Sequence, residues 1–264
     1  MTPEMLRDLQ ALARGMGESR AHTGDMIEGA FFFAMRGCEY ARVRKKGRTR
    51  PLTLGNITFR DYTGRDLDQR NLDLETKARY VTITFVDQKN GKKMDRRTQQ
   101  ATRESLCPVK AWARVCKRIR RTNPAATAQT LVHRLERGDG DFLDITIERV
   151  VRLIRLTVRT FGEIKGYGFK EDEVGSRSVR SGAAMSLIMM DHSTLKIMIL
   201  GRWSSDAFMV YIRPQVLEWT NIMSRDMALA GNFRDLGEPT NRRREETRDS
   251  SLLNETFPKF YLGR

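Results

Sequence analysis

Tyr80-Val-Thr-Ile-Thr-Phe-Val86 alternates β-branched and aromatic residues with threonines at period two, and Asp87-Gln-Lys-Asn-Gly91 follows it at once. The alternation predicts a strand with one buried face, and Asn-Gly predicts a tight hairpin returning it. Nearly every other patterned stretch of the 264 residues has helical spacing. The fold class that follows is α+β, mainly helical, with a small antiparallel β-sheet. Lys89 falls at the hairpin tip with Lys92 and Lys93 beside it. Tip lysines ordinarily serve solubility. The other reading is a flexible ammonium carried to a ligand.

The helical pattern begins over residues 3 to 14, where Met5, Leu6, Leu9, Leu12 and Ala13 share one face and Gly15 and Gly17 end it. A second, apolar-dense helix is predicted from about Thr23 through Phe33 into Met35-Arg-Gly-Cys-Glu-Tyr40. A guanidinium at the end of so buried a helix needs an anion, which makes Arg36 conspicuous. Either Glu39 pairs with it at i, i+3, or Glu39 buttresses an arginine that faces a phosphate. Arg42 to Arg50 carries six basic residues and reads as a solvated loop, with nuclear import or phosphate tracking as the alternative. Leu52 to Phe59 is β-like, and Leu106-Cys-Pro-Val109 opens a helix through Ile119. Thr146 to Phe161 is amphipathic, with Ile147, Val150, Val151, Ile154, Val158 and Phe161 as its core stripe. Further helices are expected from near Ser178 or Arg180 to Met190 and over Leu195 to Leu200. A last apolar stripe, from Val216 to Met227, is either folded back or offered to a neighbour. From Gly231 the chain turns polar and reads as a flexible tail.

A formal net charge of +15, rich in arginine, predicts attraction to a polyanion, most economically nucleic acid. Three dispersed cysteines and three histidines form no disulfide framework and no zinc spacing, and no Walker or dinucleotide motif is present. No cofactor, metal or small-molecule substrate is expected. Reduced thiols and the absence of a long apolar run point to an intracellular protein and away from a membrane.

Gly201-Arg-Trp-Ser-Ser-Asp-Ala-Phe-Met-Val-Tyr-Ile-Arg-Pro214 places Tyr211 at the rim of an apolar stretch, beside Arg213. Tyr211 is either a core-edge residue with a satisfied hydroxyl or a phenolic nucleophile activated by nearby cations.

Arg36 with Glu39, Lys89, Arg180 and Tyr211 occur in an order that resembles the catalytic domain of tyrosine recombinases, as in phage integrases and eukaryotic Crypton-like mobile elements. Ala34-Met-Arg-Gly-Cys-Glu39 is similar to the family's first-arginine box, Ser178-Val-Arg-Ser-Gly182 to its second, and Ile199 to Tyr211 to its tyrosine box. The resemblance implies a catalytic domain over 1–230 followed by a tail over 231–264. The family generally clamps DNA with a separate amino-terminal core-binding domain, whereas here the catalytic pattern begins almost at Met1, so the expectation is a fragment, a degenerate copy, or a chain that binds through its own basic surface. It further implies DNA strand cleavage and rejoining through a 3′-phosphotyrosine, on double-stranded DNA, in a homotetramer. A nuclear location is implied if the chain is eukaryotic. Arg36 and Arg180 would grip the phosphate, Lys89 would protonate the departing 5′ oxygen, and Tyr211 would attack. Two positions depart from the pattern. Arg177 stands where the family usually has histidine, and arginine shuttles no proton near neutral pH. The family's later His or Trp position holds Arg202 with Trp203 beside it, either of which could pack on the phosphate or buttress Tyr211. The alternative function is a DNA-binding protein of recombinase descent with impaired catalysis.

Overall fold

The structure is a computed structural model, and it describes residues 1–44, 49–88, 91, 93–138, 140–190 and 192–203. The chain divides into two compact units, Met1–Ser186 and Leu187–Arg264.

In the first unit, α1 (Pro3–Gly15) starts where the Thr2 hydroxyl accepts the Met5 N–H at 3.2 Å, with proline in the first turn. Its Met5, Leu6, Leu9 and Ala13 are buried, and it packs on α2 (Glu18–Phe32) and α6 (Ile147–Phe161). α2 begins five residues earlier than its apolar spacing predicts and stops before Arg36. Gly17, at φ 90°, opens it, and Ala34, at φ 44°, follows its end in the left-handed region. Arg36 is therefore the N-cap of a separate single turn, α3 (Gly37–Tyr40).

The expected sheet is present: β1 (Ile57–Arg60), β2 (Asp66–Leu67), β3 (Tyr80–Asp87) and β4 (Lys93–Gln100) lie in the order β2-β1-β3-β4, all antiparallel. β3 is central, with Val81, Ile83 and Phe85 buried, and the hydroxyls of Thr82 and Thr98 meet across the strands at 2.8 Å. Of the β-like run Leu52 to Phe59, only its last residues join the sheet. Leu54–Asn56 is a 3₁₀ turn, because the Asn56 side chain accepts the Thr53 N–H at 2.9 Å. α4 (Leu74–Lys77) is a short turn before β3. A second hairpin, β5 (Arg134–Gly138) with β6 (Asp141–Asp144), has no counterpart in the sequence-based expectation, although Gly138-Asp-Gly140 carries turn chemistry.

α5 (Pro108–Thr122) lies against α2 so closely that a Cβ on Gly29 would come within 2.5 Å of the Trp112 ring. Their interface is ionic as well as apolar. Arg114 bonds Asp25 at 2.7 Å and Glu28 at 3.0 Å, and Arg118 bonds Asp25 at 3.0 Å. Glu28 also accepts the Cys107 N–H at 2.7 Å at the start of α5. His22, fully buried, lies 2.8 Å from the Val132 carbonyl through Nε2 and 3.4 Å from Arg118 through Nδ1. Arginine can only donate, so Nδ1 accepts and Nε2 carries the proton.

α6 opens with the Thr146 hydroxyl accepting from Arg149, and Val150, Leu153, Ile154, Thr157 and Val158 are its buried stripe. Ile147, Val151 and Phe161 are only half-buried, so the core face is narrower than the apolar pattern. α7 (Arg177–Met189) follows a glycine-rich loop. In the second unit, α8 (Thr194–Gly201) has Ser193 as N-cap, its side chain accepting the Lys196 N–H.

Candidate functional site

The described part of the candidate site is built on the turn between α2 and α3. Ala34 lies in the left-handed region there, a conformation that costs a non-glycine residue about 1–2 kcal/mol and persists only when neighbours hold it. Arg180 supplies one such hold. From α7, 146 residues away in sequence, its Nη1 donates to the Ala34 carbonyl at 2.6 Å, with the side chain buried. Arg36 follows two residues later in the chain.

The Glu39 carboxylate, buried, accepts the backbone N–H of Arg36 at 2.8 Å and its Nη1 at 3.1 Å. Arg36 and Glu39 are thus paired at i, i+3; the pair orients one nitrogen and leaves Nε and Nη2 with no partner among the described residues. The Arg36 side chain keeps 23% of its exposure. The structure therefore brings Arg36 and Arg180 to the two ends of one three-residue turn, the first partly open and the second buried. Arg177, one turn before Arg180 on α7, is exposed.

Two further groups adjoin this turn. Burial and the neighbouring Glu39 raise the Cys38 thiol above its ordinary value, so it remains protonated at neutral pH. Tyr40 is fully buried, its hydroxyl has no partner among the described residues, and burial raises it far above an ordinary phenol. A phenol so placed cannot serve as the nucleophile, although it is the tyrosine nearest Arg36 in sequence.

The β3–β4 pair is braced where β3 ends. Asp95 on β4 accepts from Gln88 at 3.0 Å and pairs with Arg97 at 2.5 Å, while Arg50 bonds Asp87 at 2.8 Å at the end of β3. Lys89 itself lies outside the described residues, as do Tyr211, the Val216 to Met227 stripe and the polar tail.

In the second unit, Arg202 is the left-handed C-cap of α8, buried, with Nη1 3.5 Å from the Leu200 carbonyl. Trp203 donates its backbone N–H to the Met198 carbonyl at 3.0 Å, and its ring lies on Gly201, where a Cβ would fall 1.6 Å from the indole. Only glycine fits beneath that ring.

Spacing alone did not reveal that the Ala34 carbonyl anchors Arg180, or that arginines on α6 line a groove. Among the described residues no cluster of three or more His, Cys, Asp or Glu is placed to hold a metal ion, and no helix is long and apolar enough to cross a membrane. No protein-family model matches the chain, and a search of curated proteins finds no significant match.

Proposed function

We propose that this chain is a site-specific recombinase that cleaves and rejoins double-stranded DNA through Tyr211. The observation that carries the reading is the meeting of Arg36 and Arg180 at one turn, with Arg36 presenting two uncommitted guanidinium nitrogens. Paired N–H donors of that kind suit the non-bridging oxygens of a phosphodiester under attack. In the proposed reaction the Tyr211 hydroxyl gives up its proton to solvent, its oxygen bonds to phosphorus as the bond from phosphorus to the 5′ oxygen breaks, and that 5′ oxygen leaves with a proton from Lys89. The resulting 3′-phosphotyrosine retains the ester, so attack by a 5′ hydroxyl reverses the step on the same or another strand. Arg202 or Trp203 would support the phosphate or Tyr211, and the active species would be a homotetramer on DNA, intracellular, and nuclear in a eukaryote.

A second reading, a DNA-binding protein with impaired cleavage, is favoured by one observation: Arg177 supplies charge but no proton shuttle at the usual histidine position. Loss of such a group costs about 10²–10⁴-fold in rate.

Covalent trapping on nicked duplexes decides between them. Wild type is expected to leave an SDS-resistant protein–DNA adduct that Tyr211→Phe abolishes while duplex binding is retained. Arg177→His is expected to raise the adduct yield. Salt-sensitive binding with no adduct from wild type or Arg177→His would establish the second reading.

A further inference from the structure

The outer face of α6 and the corner between α1 and α2 enclose an open cleft of about 730 Å³. Two smaller clefts, of about 490 and 80 Å³, share Arg152 with it, so the three form one trough along α6. Its floor is apolar and incompletely covered: Met16, Val151 and Leu156 are all half-exposed. Its rim is cationic, with Arg20, Arg152 and Arg155 above that floor. Arg20 and Arg152 are exposed and have no ion pair or side-chain hydrogen bond among the described residues. The two carboxylates of the trough are already matched, Glu148 with Arg44 at 3.2 Å and Glu171 with Arg159 at 2.6 Å. They leave the charge of Arg20 and Arg152 unopposed.

An apolar floor under unopposed guanidiniums selects a ligand that is anionic and also presents a flat apolar surface. A DNA duplex offers phosphates but hides its base faces, and would leave the floor unused. An unpaired strand offers both, with phosphates for the arginines and bases for the floor and the guanidinium planes. The trough also reaches the candidate site. Ile147 and Ser176 line one end of it, and a Cβ on Gly37 would lie 2.5 Å from Ile147 Cδ1 and 3.5 Å from Ser176 Cβ. Gly37 follows Arg36 directly.

We propose that the α6 trough binds single-stranded nucleic acid. Resting on the function proposed above, that strand is the unpaired DNA adjoining the cleaved phosphate.

The test is fluorescence anisotropy of the full chain with a labelled single-stranded oligonucleotide and a duplex of the same sequence, across a salt series. Arg20→Ala and Arg152→Ala are each expected to weaken single-strand binding and to lower the slope of log affinity against log salt by about 0.7 for each phosphate that the missing guanidinium no longer neutralises. Leu156→Gln, which changes no charge, is expected to weaken single-strand binding about fivefold while sparing the salt slope and duplex binding. Circular dichroism identifies any variant that fails to fold, and the other two then carry the test. Unchanged single-strand affinity in the folded variants overturns the proposal, and so does equal loss on the duplex, which would make the trough a duplex phosphate track. Binding is read without cleavage. Loss of the Tyr211 adduct with trough binding intact therefore counts against the recombinase reading alone, and the converse against the trough alone.

Discussion

α5 and α6 are both fifteen-residue amphipathic helices dense in arginine, yet two arginines of each have opposite fates. Arg114 and Arg118 of α5 turn inward onto Asp25 and Glu28 of α2 and become part of the interior. Arg149 and Arg152 of α6 stay exposed, with no acid opposite them among the described residues. The helices differ less in themselves than in what faces them. An arginine is structural where a neighbouring element brings a buried carboxylate and available for a ligand where none does.

The largest break in that comparison is expected from Arg114→Ala. It leaves buried Glu28 without its counter-charge and buried Asp25 with Arg118 alone, and a loss of about 3–5 kcal/mol in urea denaturation is expected. A loss under about 1 kcal/mol would mean that the α2 carboxylates are solvated or protonated instead. Arg180→Ala is the intermediate case, because its buried guanidinium donates to the Ala34 carbonyl. Leaving the Ala34 carbonyl unsatisfied should cost about 1–3 kcal/mol by the same measurement. An unchanged midpoint would show that the turn is held without it.

The α2–α5 interface should also make stability depend on pH. Burial, reinforced by Arg118, holds the His22 pKa down to about 3 from an ordinary 6.5, and outside that interface burial holds His133, the residue before β5, down to about 4. Below pH 6.5 the unfolded chain binds protons that the folded chain does not, so this stability is complete above pH 6.5 and lost as the pH falls toward 3. Burial raises Glu28 from 4.5 to about 6, so its contribution runs the other way, present below pH 4.5 and lost as the pH rises through 6. Between pH 4.5 and 6 it offsets part of the histidine slope. Glu28→Gln, measured by urea denaturation across that window, should therefore steepen the rise of stability with pH. An unchanged slope would mean that Glu28 is ionised throughout.

The smallest structural effect is expected on the other side of the comparison. Arg152→Ala should leave the melting temperature unchanged while weakening single-strand binding; a clear drop in melting temperature would give α6 an internal ionic role like that of α5.

Periodicity found α1, α5, α6 and β3 to within a few residues, because in each a single buried face dictates which positions must be apolar. It failed at the end of α2, where apolar density continues through Phe33 to Met35 but the left-handed Ala34 breaks the helix. It also passed over Asp25, Glu28 and His22, since polar residues within an apolar run report burial only when their partners are known.

Net charge, the order of Arg36, Lys89, Arg180 and Tyr211, and the expectation of a small sheet in a mainly helical chain are properties of the linear sequence. Local spacing and charge are written residue by residue. That Arg180 meets Ala34, that Glu39 commits only part of Arg36, and that α5 hides Arg114 and Arg118 while α6 shows Arg149 and Arg152 were decided by tertiary structure alone. Each depends on a partner that is distant in sequence or on how far a side chain is buried. Burial and the identity of the opposing group decide whether a charge supports the fold or faces a ligand.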